Sequence, residues 1–223
     1  MLGQEQQSKL AVYQLLRRLN GIRSYAQATQ DLFVLSMLGT ETPGVYLEVG
    51  AGHPFDSNNT ALLEESFGWS GLSIEIDRDL AAEFERRRRN RVICDDALTH
   101  DFLTTCVGLA HTGRVDYLSL DIDPSDVSCR ALHRLPHDQV RFSVITFEHD
   151  RYASGDACMH ASRGLLSELG YELVVANVSV FGRDFEDWWV DPDAVGEFER
   201  RLFRRSGSEF WQLWLDHPFT PSG

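Results

Sequence analysis

Lysine is almost missing from this chain. Lys9 is the only one, and the remaining 20 of its 21 basic residues are arginine, which reads as a codon-composition effect. Basic residues are scarce altogether: 34 acidic side chains oppose 21 basic ones, for a net charge of −13. That balance excludes nucleic acid and anionic membrane surfaces as expected partners, because neither is attracted to a strongly acidic protein. Cysteine is equally thin. Cys94, Cys106, Cys129 and Cys158 have no CxxC spacing, so reduced thiols are expected rather than a disulfide framework. No apolar run approaches the roughly 20 residues of a membrane span. The polar opening MLGQEQQSKL lacks the apolar core of a signal peptide, and a cytoplasmic location is the expectation. Repeats, low-complexity tracts and linkers are also wanting. What is present is ordinary globular usage, 223 residues of which 43% are hydrophobic and 25% charged, enough for one domain with a core of its own.

The N-terminal part reads as helical. Val12, Leu15, Leu16 and Leu19 repeat at helical spacing before Asn20-Gly21, and Ser24 can cap a second helix that carries Leu32, Phe33 and Met37 and ends at Gly39. From Val45 onward the pattern becomes short apolar strands alternating with helical stretches. Strands are predicted at Val45–Val49, Leu72–Ile76, Arg91–Cys94, Asp116–Leu120, Ser143–Phe147, Glu172–Ala176 and Phe210–Leu215. The first six begin at intervals of about 20 to 29 residues, the length of a strand plus a crossover helix. Such alternation means an α/β fold, with a mainly parallel sheet covered on both faces. The segment 180–208 breaks the rhythm and reads as an insertion with a helix opened by Asp191-Pro192. The expected organisation is one domain: a helical extension over 1–40, a core over 41–178, an insertion contacting substrate over 179–208, and a last strand and tail over 209–223.

Three strand ends carry chemistry. Glu48-Val49-Gly50-Ala51-Gly52 runs a strand into Gly-x-Gly, which lets the backbone turn tightly and approach a ligand with no Cβ in the way. Phe55 stands where a dinucleotide fingerprint wants a third glycine, so a diphosphate loses its close approach. Glu48 suits a cationic group better than a phosphate, and S-adenosylmethionine (SAM) carries an ammonium and a sulfonium. Glu75, 25 residues after Gly50, is placed to accept hydrogen bonds from both hydroxyls of a ribose, with Asp77 as the cap of the next helix. Asp96 can receive an adenine amino group, and small Ala97 leaves room for the ring. A plain strand-to-helix turn competes with this reading at Gly-x-Gly alone, and less so for three strand ends together.

The chain resembles the FkbM-type family of SAM-dependent methyltransferases. The resemblance rests on Leu47-Glu48-Val49-Gly50-Ala51-Gly52, Ser57-Asn58-Asn59-Thr60 with Leu63-Glu64-Glu65, Gly68-Trp69-Ser70-Gly71-Leu72-Ser73-Ile74-Glu75 and Asn90-Arg91. It continues through Asp116–Asp123, Phe147-Glu148-His149 and Glu186–Val190. It implies a class I, Rossmann-like methyltransferase fold with seven strands, the last antiparallel, and O-methylation of a small molecule or sugar in bacterial biosynthesis. Asp123-Pro124 and Asp150 depart from the family pattern where substrate or metal would sit. On this reading Glu48, Gly50, Gly52, Asn59, Glu75, Asp96, Ala97 and Asp121 bind the cofactor. His149 and Asp121 are the catalytic candidates, Asp121 beneath the methionine part and His149 facing the acceptor as general base, or else as a structural histidine, with His53 a weaker candidate for the same work.

The strand-end acids Asp121, Asp123, Glu148 and Asp150 leave room for Mg²⁺, with Asp123 and Glu148 as its ligands, or for ordinary cofactor and backbone contacts. Arg86-Arg87-Arg88-Arg89 reads as a solvated helix end. Trp188-Trp189 forms either an acceptor wall or core packing. The partner expected is a small-molecule acceptor, with room for a homo-oligomer. A catalytically silent subunit of the same fold and an NAD(P)-dependent oxidoreductase are the competing functions.

Overall fold

In the computed structural model, residues 21–207, 209, 210 and 212 are described. The chain runs through β1 (Val45–Val49), β2 (Ser70–Glu75), β3 (Arg91–Cys94), β4 (Arg114–Leu120), β5 (Arg141–Glu148), β6 (Glu172–Val180), β7 (Arg183–Val190) and β8 (Arg205–Ser206). The helices are α1 (Gln30–Leu38), α2 (Ala61–Phe67), α3 (Arg78–Arg87), α4 (Phe102–Leu109), α5 (Ser125–Arg134), α6 (Arg151–Ser154), α7 (Ala157–Glu168) and α8 (Glu197–Phe203). One sheet orders the strands β3-β2-β1-β4-β5-β7-β6-β8. Strands β1 to β5 run parallel to one another, while β7 is antiparallel to both β5 and β6. Among the described residues no helix is long and apolar enough to cross a membrane.

Local chemistry sets the helix ends. Asp77 caps α3 by accepting from the Asp79 and Leu80 amides, and Gly68 ends α2 in the left-handed region at φ 69°. Ser24 does not cap the next helix. Its Oγ donates to Asp31 Oδ1 at 2.6 Å, and α1 begins at Gln30 instead. The four apolar residues of the first expected helix, Val12, Leu15, Leu16 and Leu19, lie outside the described residues, as does most of Phe210–Leu215.

The antiparallel strand is where sequence and structure part. The stretch expected to be an insertion instead forms β7, joined to β6 by the two-residue turn Phe181-Gly182, both in the left-handed region (φ 52° and 74°). Its pattern was hidden because Asp184, Glu186 and Asp187 interrupt the apolar run, and strands are recognised by apolar alternation. Each acid has a partner within the fold: Arg151 for Asp184, Gln30 and Trp188 for Glu186, and Arg163 for Asp187. Among the described residues the sheet has eight strands, the eighth only two residues long.

Two apolar layers cover the sheet. Tyr46, Tyr117, Val144 and Trp188 pack on one face with Phe33 and Leu35 of α1, while Leu47, Leu118, Ile145 and Trp189 pack on the other with Leu132 and Leu166. Neighbouring strand residues point to opposite faces, so Trp188 and Trp189 serve one core each, at 0% and 1% exposure. Both tryptophans are core residues and neither is an acceptor wall.

Candidate functional site

Strand β1 lies between β2 and β4, so the strand order reverses there and the connections leave in opposite directions. A crevice opens at such a switch point, outside the carboxyl ends of the strands. In this protein it is a cavity of about 710 Å³ walled by the segments that follow β1 to β5.

The glycines build its floor. Gly50 sits at φ 85°, and a Cβ there would stand 1.8 Å from the Asp121 carbonyl oxygen, so only glycine lets the loop after β1 pass the end of β4. Gly52, at φ 57°, lines the cavity, and a Cβ there would meet nothing within 4 Å. Its amide donates to Glu75 Oε2 at 2.7 Å, and Glu75 Oε1 accepts from the Asp77 amide at 2.8 Å. Glu75 is thereby fixed at the cavity wall with lone pairs free on both oxygens. Asp96 and Ala97 line the cavity beyond it. Asp96 Oδ1 accepts from the Leu98 amide at 2.8 Å, and its neighbour Asp95 is tied through His100 to Thr105, at 2.8 Å on each side.

Asp121, Asp123 and Glu148 form the other end. Oxygens of Asp123, Glu148 and Asp150 all lie within 4.8 Å of one another, a donor set of the type hard cations take. Burial, then the charge of Asp121, pushes the Glu148 carboxyl far above the ordinary carboxylate range, so that it stays protonated and hydrogen-bonds Asp121. That shared proton relieves part of the repulsion without an ion. Asp150 is pushed up to about 6 by burial and then by the charge of Asp123.

Three expected site residues are not on the cavity. Glu48 is buried behind it, where Oε2 accepts from Ser73 Oγ at 2.7 Å and Thr60 Oγ1 at 3.1 Å. Burial raises its carboxyl to about 7. Asn59 donates to Ser119 Oγ at 3.0 Å inside the core. His149 follows Glu148 by one residue and is turned away, with 0% exposure. Its Nδ1 accepts from the Arg151 amide at 3.3 Å, which leaves the proton on Nε2, 3.4 Å from Asp187 Oδ1. Asp187 is clamped by Arg163 at 2.7 and 2.8 Å; burial raises its carboxyl, but Arg163 and His149 together hold it below the ordinary range. His149 therefore sits buried between β5 and β7 and is not placed to reach an acceptor. His53 does line the cavity, although Nδ1 accepts from the Phe55 and Asp56 amides.

Other contributors carried no sequence signal. Gln27 reaches the cavity from the segment before α1. Arg88, expected in solvent with its neighbours, is 6% exposed, whereas Arg86, Arg87 and Arg89 are exposed. Its guanidinium bonds Glu64 Oε2 at 2.8 and 2.9 Å, the Pro54 carbonyl and Asn58 Oδ1 at 2.9 Å, and Thr60 Oγ1 at 3.1 Å. It thus ties α3 to the loop that follows the glycines. One position beyond its helix, at φ −110° and ψ 155°, it faces inward because the chain has left helical geometry.

No family model and no curated protein matches the chain. Solved structures do. The METTL16 methyltransferase domain aligns with a TM-score of 0.53 at 12% identity, covering 75% of this chain and 68% of that one. Human methyltransferase-like protein 13 in complex with SAH gives 0.49 at 15% identity, with 88% and 93% covered. A TehB-like SAM-dependent methyltransferase from Corynebacterium glutamicum gives 0.47 at 18% identity, with 80% and 95% covered. Taken with the strand order, the chain has the α/β, Rossmann-like fold of class I SAM-dependent methyltransferases, its sheet mostly parallel and antiparallel at β7.

Proposed function

We propose that the protein is a SAM-dependent methyltransferase acting on a small molecule. The observation that carries the reading is Glu75, held by the Gly52 and Asp77 amides at the switch-point cavity with Asp96 and Ala97 beside it. SAM when bound supplies an electrophilic methyl group on a positively charged sulfur. Glu75 would hold the ribose hydroxyls, Asp96 and Ala97 the adenine, and Gly50 and Gly52 the backbone floor beneath the amino-acid part. Asp121 stands between that part and the acceptor end. Glu48 and Asn59 support the floor from behind. An oxygen acceptor is not carried forward, because His149, the base assigned to its proton, lies off the cavity.

Among the described residues, the cavity lining contains seven acidic side chains and neither lysine nor arginine. That favours a cationic cofactor over the diphosphate of NAD(P), and a small acceptor over RNA, the substrate named for some proteins of this fold. Thermal-shift measurements with SAM, S-adenosylhomocysteine and NAD test the reading. At 100 times Kd a ligand of the folded state adds about 2.7 kcal/mol. SAM and its demethylated product are expected to stabilise the protein and NAD is not, and Glu75→Ala should weaken cofactor binding about tenfold or more. Stabilisation by NAD alone, or an unchanged affinity in Glu75→Ala, would refute the assignment.

A further inference from the structure

We propose that the acceptor end of the cavity selects a cationic nitrogen, a primary or secondary amine, and that this nitrogen receives the methyl group. The inference rests on the methyltransferase reading and names its substrate class.

Nine carboxylate side chains are buried among the described residues. Seven of them accept hydrogen bonds from protein N–H or O–H groups: Asp31 from Ser24, Glu48 from Ser73, Glu64 and Asp191 from arginines, Glu75 from two amides, Glu186 from Trp188, and Asp187 from Arg163. Glu148 and Asp150 are the two that accept none among the described residues, and their polar neighbours are other carboxyls, Asp121 and Asp123. Glu148 is 8% exposed and is turned onto the cavity. The arginine nearest in sequence is turned elsewhere: Arg151 donates to Asp156 at 2.6 Å and to Asp184 at 3.1 Å.

Glu148 shares its proton with Asp121, but the remaining carboxyl oxygens of the cluster meet no donor from outside it among the described residues, so the cluster is complementary to a group that brings positive charge and several N–H donors at once. An ammonium brings three donors. A hydroxyl brings one and no charge, and a carboxylate or phosphate would be repelled. The chemistry then balances. The ammonium gives one proton to a carboxylate of the cluster. Its freed lone pair forms the N–CH₃ bond as the sulfonium C–S bond breaks, with that electron pair going to sulfur. A neutral thioether and a methylated ammonium leave, and the cluster returns its proton to water.

Calorimetry near neutral pH, with and without S-adenosylhomocysteine, tests the proposal using benzylamine against benzyl alcohol, cyclohexylamine against cyclohexanol, and MgCl₂ alone. Each amine is expected to bind at least about tenfold tighter than its alcohol. The double variant Asp123→Asn/Asp150→Asn should weaken the amines by about tenfold or more while S-adenosylhomocysteine affinity stays within about threefold. Alcohols that bind as well, amine binding indifferent to the double variant, no amine binding, or Mg²⁺ binding that competes with the amines would each overturn it. Failure of S-adenosylhomocysteine to bind is a separate result and refutes the cofactor reading alone.

Discussion

Two groups of buried acids flank the same glycine loop and are built in opposite ways. Behind the cavity, Glu64 faces the Arg88 guanidinium at 2.8 Å, and Glu48 accepts from Ser73 and Thr60. At the end of β5, Glu148, Asp150 and Asp123 face one another, and Asp121, Asp123 and Glu148 line the cavity. The residue type is the same, and Glu148 and Asp150 are buried as Glu48 and Glu64 are, although Asp123 beside them is exposed. Only the donors differ. A satisfied network holds a loop in one position, because every alternative strands a polar group in a low-dielectric interior. In the second group the charge of neighbouring carboxyls adds to burial in raising Glu148 and Asp150, where in the first the donors and Arg88 work against the burial of Glu48.

Breaking the satisfied network should have the largest effect. Arg88→Ala leaves Glu64 buried with only the exposed Arg89 guanidinium, 4.0 Å away, as countercharge, and a loss of about 3–5 kcal/mol is expected in denaturant unfolding. A loss below 1 kcal/mol would mean that water already shares the pair. His149→Ala sharpens the boundary of the cavity. It removes a buried side chain between β5 and β7, so about 1–3 kcal/mol of stability should go while cofactor affinity, read by calorimetry, stays put. A selective loss of ligand binding would return His149 to the site.

The unsatisfied cluster should respond in the other direction. The folded state holds the Asp150 proton more tightly than the unfolded chain, about 6 against 3.8, so the folded state is favoured at low pH and penalised as pH rises through that window. Asp150→Asn is therefore expected to stabilise the ligand-free protein by roughly 1–2 kcal/mol near pH 7, with the gain vanishing toward pH 4. Melting curves across that range check it, and destabilisation near pH 7 would contradict the repulsion argument. The smallest effect expected is that of metal removal. Because Glu148 shares a proton with Asp121, exhaustive EDTA treatment should change melting temperature and methyl transfer little at most. A large loss restored by Mg²⁺ would show that a cation does this work.

Much of the cofactor half was legible because its signals are local. Gly50 and Gly52 are demanded by backbone geometry within a few residues, and Asp77 caps the helix that starts beside it. Glu75 and Asp96 sit at strand ends that apolar periodicity locates. The acceptor half was less legible. His149 and Glu148 are adjacent in sequence, and nothing local says which one turns to the cavity. Arg88 reads like its three arginine neighbours until α2 and the Pro54–Thr60 loop close around it. Strand β7 was hidden by acids whose partners, Arg163, Gln30 and Arg151, are distant in sequence or on other elements.

By itself the sequence determined the alternation of strand and helix, the parallel sheet and the turn of the glycine loop, because these follow from hydrophobic period, capping and the absence of a Cβ, which act over a few residues. Tertiary structure alone decided which carboxylates are paired and which are left facing a cavity. A buried charge finds its partner through space, and the donors that separate Glu64 from Glu148 arrive on segments that meet only once the sheet has assembled.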